Sequence, residues 1–446
     1  MLTTLENNSV RGGRWHSLID KVYKPANLHA AFRKVAANRG AAGVDHVTIE
    51  AFQRRLEQNV STLEQQLRDG SFRPQAIRRT HIPKPGTTDT RPLGIPTVRD
   101  RTVQTALRHV LEPVLERHFA AHSYGFRPGL GCKDALRRVD GLIKAGYKYT
   151  VDVDLKSYFE TIPHAALLAD LRQHVSDNRL IGLVAQFLQA GIMEGLQHWT
   201  PIQGAPQGAV ISPLLSNLYL NDLDHHMAQA GWELTRYADD IVIQCRTRAD
   251  AETALAMVQA WTASRGLTLH PDKTRIVHVD EEGFDFLGYR FHQHCRFARK
   301  QSVRKLKDAL RRHTRRTNGH SLKTIIQRVN RTLQGWYAYF KHSRRSTFSD
   351  LDPWIRMRLR SLLRKRSGRK GNGYGLDHWR YPNRFFAAHG LLDLTATYDR
   401  ERRSSRRQTL NRRAGCGKYA RPVRREGRPN SIGLPYPYRR QNRRSR

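Results

Sequence analysis

The 446-residue sequence predicts an α+β chain, with short strands set among amphipathic helices and a helical, strongly basic region after them. Three observations lead there. Tyr149-Thr150-Val151-Asp152-Val153-Asp154-Leu155 alternates like a strand, which puts Asp152 and Asp154 on one face. Residues 232–236 and 241–244 are rich in β-branched or bulky side chains and flank Tyr237-Ala238-Asp239-Asp240, a hairpin tipped by two carboxylates. Helical spacing fills much of the remainder, and beyond about residue 300 it is accompanied by Arg and Lys.

Charge is unevenly spread. Residues 301–446 hold 40 Lys+Arg against 8 Asp+Glu, a net of +32 out of a formal +39, leaving +7 for the first 300. So lopsided a field points to a polyanion, RNA or DNA. An anionic membrane surface is the alternative, but there is no long apolar run or signal peptide to support it. Cys132, Cys245, Cys295 and Cys416 form no CxxC pair, which suggests reduced thiols and no structural zinc. His292-Gln293-His294-Cys295 resembles a metal cluster, yet alternation splits it across two faces, and a hairpin surface is expected.

Taken in order, residues 14–70 read mostly as helices, with Leu18, Ile19, Val22 and then Leu28, Phe32, Val35 at helical spacing. A glycine-rich turn, Asn38 to Asp45, interrupts them. Residues 76–99 form two extended pieces around Pro83-Lys84-Pro85-Gly86, a hairpin with basic residues near its tip. Thr102 to Phe119 reads as an amphipathic helix that Pro113 kinks or splits. Residues 164–195 look helical, and so does Ala251 to Arg265. Leu322, Ile325, Ile326, Val329, Leu333, Trp336, Tyr337 and Phe340 keep 3–4 spacing over five turns. Residues 396–446 have few large apolar groups and many Arg, so an arm that orders on nucleic acid is expected.

The chemistry lies in the acids. Adjacent aspartates repel each other and lose hydration if buried, so the pair gains most from a nearby cation. Asp154 on one strand, facing Asp239-Asp240 on its neighbour, would supply carboxylates for two Mg²⁺ ions clamping a phosphoryl transfer.

Asp154-Leu155-Lys156-Ser157-Tyr158-Phe159, Pro206-Gln207-Gly208 and Tyr237-Ala238-Asp239-Asp240, in that order, resemble the palm of a reverse transcriptase. Flanking blocks narrow the resemblance to bacterial group II intron-encoded reverse transcriptase/maturases, from about Gly12 to about Leu394. Those blocks include Ser123 to Gly129, Gly204 to Leu220, Gly266 to Thr274, Gly283 to Phe291 and Asn330 to Phe340. The resemblance implies a right-hand polymerase: fingers and palm with antiparallel sheet, an α-helical thumb/maturase domain, and a basic C-terminal arm. Boundaries follow at 1–75, 76–295, 296–395 and 396–446. It makes Asp154, Asp239 and Asp240 the catalytic metal ligands, with the Leu155 carbonyl as a further ligand and Asp152 in a supporting part at most. Lys84, Arg91, Phe159, Gln207 and Lys273 would contact the nucleotide, Phe159 by excluding a ribose 2′-hydroxyl. For Phe159 core packing, and for Lys84 and Arg91 a solvated hairpin, are the alternatives.

Arg127, Arg328, Arg331, Lys341, Arg344 and Arg345 would bind RNA, although Arg127 could equally pair with a palm carboxylate. The implied partners are the intron RNA, an RNA template with DNA primer, dNTPs and target DNA, in a bacterial cytoplasmic ribonucleoprotein and with no membrane. The implied activity is nucleotidyl transfer, with splicing help and retrohoming by target-primed reverse transcription. The Cys-rich HNH endonuclease module of some relatives is missing, so target cleavage by this chain is not expected. Two other readings stay open: a stand-alone polymerase domesticated for repair or defence, and an RNA-binding splicing factor without polymerase activity.

Overall fold

The computed structural model describes residues 15–404 apart from 16, 84–89, 196 and 372. The chain opens with helices α1 (Ile19–Tyr23), α2 (Pro25–Ala37), α3 (Ile49–Arg54) and α4 (Leu56–Asp69). Their apolar stripes, Leu28, Phe32 and Val35 among them, are buried as the spacing predicts. Strands β1 (Ile77–Pro83) and β2 (Thr90–Ile95) form the basic hairpin, antiparallel in register from Arg78↔Ile95 to Pro83↔Thr90. Its tip, including Lys84, lies outside the described residues.

Helix α5 (Val98–Leu115) starts earlier than the periodicity suggests, because the Thr97 hydroxyl caps it by accepting from Asp100 N at 3.1 Å. Pro113 sits in its last turn, and the helix runs through it to Leu115, so it is not split. Helix α6 (Cys132–Lys144) leads into β3 (Tyr149–Val153), and α7 (His164–His174) and α8 (Asn178–Leu188) follow. The helical expectation then fails at β4 (Ile192–Glu194), a strand that pairs with β5 (Gln197–Trp199). Strand β4 also runs parallel to β1 at Ile77↔Ile192, giving a finger sheet ordered β2-β1-β4-β5.

Helix α9 (Ser212–Gln229) is followed by β6 (Glu233–Tyr237), β7 (Asp240–Cys245), α10 (Arg248–Ser264) and β8 (Arg275–His278). These strands and β3 make a second, wholly antiparallel sheet ordered β6-β7-β3-β8. One face is backed by helices, and a single buried cluster runs from Leu18 through α5, α7, α8 and α9 to Leu267. The other face is covered too, where Val242 and Val277 pack against Leu136 and Val139 of α6 and against Phe284, so the acids stand only at the exposed end of the sheet.

Strands β9 (Phe284–Phe286), β10 (Tyr289–His292) and β11 (Cys295–Ala298) form a small antiparallel sheet. Gln293 and His294, at φ 46° and 56°, make the two-residue turn between β10 and β11, so the His/Cys stretch is a hairpin. The Tyr339 hydroxyl donates to Leu287 O at 2.8 Å and ties this sheet to the thumb. The thumb comprises α11 (Lys300–His313), α12 (Leu322–Phe340) and α13 (Leu351–Arg366), packed around Leu306, Leu310, Val329, Leu333, Ile355 and Leu359. Leu333 is fully buried, and cutting such a side chain back to Ala costs about 2–5 kcal/mol. No helix among the described residues is long and apolar enough to cross a membrane.

Candidate active site

The β6–β7 hairpin closes on the pair Tyr237↔Asp240, which leaves Ala238 and Asp239 in the turn. Ala238 takes φ 59°, a left-handed conformation that non-glycine residues seldom adopt. Neighbouring chain holds it there. A Cβ on Gly125 would stand 2.3 Å from Ala238 N, so only glycine lets that loop lie under the turn. Below it Arg236, fully buried, donates from Nη1 to Ala238 O at 3.1 Å and to Asn217 Oδ1 at 2.8 Å. Its Nε reaches Asp224 Oδ1 at 2.8 Å, and Asn217 Nδ2 donates to Gly125 O at 2.7 Å. The acidic turn thus rests on a buried, fully partnered ion pair.

Asp154 stands just beyond the end of β3. Its N–H donates to Thr274 Oγ1 at 3.3 Å, its carbonyl accepts from His270 N at 2.8 Å, and its carboxylate lies 3.2 Å from Lys273 Nζ. Leu155 opposite Leu269 is flanked by the bonds of Asp154 and Lys156, and its own carbonyl stays out of that ladder.

The acids feel one another. Asp239 and Asp240 are open to solvent at their tips but flanked by protein. Loss of hydration pushes the Asp240 carboxyl up to about 6, helped by the charges of Asp239 and Asp154 and opposed by Arg299 and Arg91. Asp239 is raised for the same first reason, with Arg91 opposing and Asp154 adding to the rise. Asp152 is also pushed up to about 6, by burial first, with Arg275 (3.8 Å away) opposing. Crowded carboxylates with too little countercharge are a donor set for a hard divalent cation, all oxygen and open on one side. Among the described residues no trio of His, Cys, Asp or Glu is already drawn together as a closed metal cage.

Between the finger sheet and the loop before α9 lies a cavity of about 210 Å³ lined by Phe159, Gln207, Pro206, Arg79, Glu160 and Trp199. Phe159 is half-buried and meets Tyr158 edge-on, with centroids 5.4 Å apart. The Gln207 carbonyl accepts from Gly94 N at 2.6 Å, which docks the loop before α9 against β2. Arg91 is exposed, and its charge reaches both Asp239 and Asp240. Phe159 and Gln207 thus line the cavity, whereas Arg91 and Lys273 meet the aspartates through charge, Lys273 at 3.2 Å from Asp154.

The loop before α9 has another feature that the sequence hid. Its glycines and proline suggest outward-facing backbone N–H groups, yet Val210 N and Ile211 N donate to the buried Gln104 side chain at 2.7 and 3.4 Å. Sequence reasoning missed Gln104, Arg236 and Arg79 alike. Arg236 sits one residue before the acidic motif, the only local signal any of them carried.

The basic residues divide. Arg127 is turned into the protein. Its side chain is 8% exposed, it pairs with Glu116 at 2.8 Å, and Nη1 donates to Ala120 O and Ser123 O at 2.6 and 2.7 Å. Every nitrogen of the guanidinium is engaged, and Glu116 lies just past α5, not on the palm sheet. Arg328, Arg331 and Arg344 are exposed. Lys341 and Arg345 are tied to Glu401 at 3.4 Å and Asp399 at 2.9 Å, partners that RNA would have to displace.

The acid-bearing antiparallel sheet, the finger hairpin over it and the helical thumb define a polymerase of the right-hand class. Residues 82–291 match the family model for reverse transcriptase (RNA-dependent DNA polymerase), and residues 303–381 match the group II intron, maturase-specific domain. Protein YkfC of Escherichia coli (strain K12) is 33% identical over 318 residues, 62% of this chain and 83% of that protein. The group II intron-encoded protein LtrA of Lactococcus lactis subsp. cremoris is 34% identical over 215 residues, 48% of this chain and 35% of that one. The putative COX1/OXI3 intron 1 protein of Saccharomyces cerevisiae (strain ATCC 204508 / S288c) is 34% identical over 168 residues, 37% and 20% of the two chains. The chain spans most of YkfC but about a third or less of the two intron proteins. It belongs to the group II intron reverse transcriptase/maturases, RNA-directed DNA polymerases of a family that uses divalent metal ions.

Proposed function

We propose that this chain copies RNA into DNA at Asp154, Asp239 and Asp240, and that its thumb binds the intron RNA to promote splicing and retrohoming by target-primed synthesis. The reading rests on one observation above all: just past β3 and at the β6–β7 turn, the Asp239 and Asp240 carboxyls are raised first by lost hydration and further by the nearby Asp154 charge. These three side chains, with the Leu155 carbonyl, would hold two Mg²⁺ ions. When bound, the ions would lower the pKa of a primer 3′-hydroxyl and neutralise charge growing at the α-phosphate. Lys273 and Arg91 would orient the triphosphate, Gln207 would meet the incoming nucleotide or template base, and the Phe159 ring would exclude a 2′-hydroxyl by overlap. In this reading Arg328, Arg331 and Arg344 hold RNA backbone by charge, in a bacterial cytoplasmic ribonucleoprotein, and the domains divide near residues 75, 295 and 395.

The test pairs primer extension on RNA with splicing of the flanking intron at low Mg²⁺. Asp239→Ala is expected to lower extension at least about a hundredfold while splicing help persists, as it should if the thumb works independently of the metal site. Undiminished extension by Asp239→Ala would remove the metal assignment. Wild-type extension without any effect on splicing would favour a stand-alone polymerase.

A further inference from the structure

Residues 373–381, after α13, combine two properties that normally exclude each other. The segment is pinned to the thumb, and it holds large apolar side chains out in water. Gly373 N donates to Ser361 Oγ at 2.9 Å, and a Cβ on Gly373 would stand 2.5 Å from that of Arg360, so the loop lies flat on α13. Arg360 Nε donates to Tyr381 O at 2.9 Å, and Arg364 Nη1 reaches the fully buried Asp377 at 2.8 Å. On this anchored backbone Trp379 is 87% exposed, Leu376 81% and Tyr374 58%.

Exposed aromatics on a held loop signal a partner, since a floppy or half-packed loop would fold such groups inward. Charge says which partner. Between Pro353 and Leu392 there are ten Lys or Arg and a single acid, Asp377, which is buried. Lys365, Lys370, Arg380 and Arg384 are exposed around the aromatics. Aromatic faces interleaved with cations suit unpaired nucleobases, whose planes stack on rings while their phosphates meet the cations. A second copy of the chain would bring together two surfaces of the same strong positive sign.

We infer that Trp379 and Tyr374, with Leu376 beside them, form a stacking platform for unpaired bases in a structured RNA, such as a terminal loop. This deepens the RNA-binding reading above and rests on it. Duplex RNA offers no free base faces, so the platform gives the thumb a preference that backbone charge alone cannot supply.

The experiment measures, at fixed salt, binding of the full chain to a labelled RNA hairpin with an unpaired adenosine loop, and to the same stem as uninterrupted duplex. Trp379→Ala is expected to weaken loop binding by roughly 5- to 150-fold, the range for losing one stacked base, and to leave duplex binding within about twofold. Trp379→Phe should keep most of the affinity, and the salt slope should stay unchanged, whereas Lys370→Glu should lower that slope for both RNAs. An unchanged loop affinity in Trp379→Ala, or equal losses on loop and duplex, overturns the platform but not RNA binding. A wild-type chain that binds neither RNA overturns both. Dimers that dissociate on Trp379→Ala would assign the patch to a second copy instead and likewise overturn it. A melting temperature matching wild type for Trp379→Ala separates a loss of binding from a loss of fold.

Discussion

Two buried arginines show how differently the palm and the thumb use the same side chain. Arg236 beneath the palm turn is 0% exposed and has a dedicated carboxylate, Asp224, besides its bonds to Asn217 and Ala238 O. Arg360 in the thumb is 3% exposed and donates instead to Tyr381 O and Asn383 Oδ1, both uncharged. In the palm, a neutral pair holds a turn with φ 59° at Ala238 without adding net charge under the acids. In the thumb acids are scarce, so although Arg364 takes the buried Asp377, Arg360 staples its loop through uncharged oxygens and the surface keeps its positive sign. One region concentrates negative charge for a cation. The other keeps positive charge for a polyanion.

That contrast can be broken by mutation. Arg236→Met strands Asp224 in the core and should cost about 3–5 kcal/mol of stability, read as the urea midpoint. The double variant Arg236→Met, Asp224→Leu should recover part of that loss, since no lone charge remains. A double variant as unstable as the single one would mean that the turn depends on the Ala238 bond more than on the ion pair. Arg360→Met leaves the Tyr381 carbonyl without its donor and should cost less, about 1–3 kcal/mol. Equal costs at the two sites would erase the distinction.

The smallest expected effects concern pH, and the two faces of the palm should differ in sign. Asp240 is raised above its unfolded value, so it binds a proton more tightly when folded; its ionised form weakens the fold as pH rises from about 4 through 6. Asp240→Asn should remove that loss and stabilise the protein near neutrality by up to about 1 kcal/mol, a figure discounted for the carboxylate's exposure to solvent. On the opposite side, the His118 and His174 rings stand 4.2 Å apart, and His174 is lowered to about 4 by burial first, then by His118. The folded form resists protonation there, so stability falls as pH drops from 6.5 towards 4. His174→Gln should flatten that acid-side slope and leave the Asp240 slope intact, as urea midpoints across pH 4–7 would show.

Much of the molecule could be read along the chain. The acid-tipped hairpin, the β3 strand, the stripe of α12 and the basic last third are patterns of period, turn chemistry and composition, each contained in a short stretch of sequence. The resemblance carried by the palm motifs matched the reverse transcriptase and maturase families over residues 82–291 and 303–381. What stayed hidden were properties of pairs far apart in sequence. Arg127 reads as a cation offered to RNA until α5 brings Glu116 against it. Gln104 carries no motif, yet it satisfies backbone groups more than a hundred residues away. Residues 192–194 look like a helix end until β1 supplies their partner.

The sequence by itself determined most of the helices and strands and where charge accumulates, because those depend largely on neighbours one to four positions away. Only the tertiary structure decided which arginines are consumed in holding the fold and which face water. That choice depends on what packing places within hydrogen-bond reach, and on the cost of leaving any buried charge without a partner.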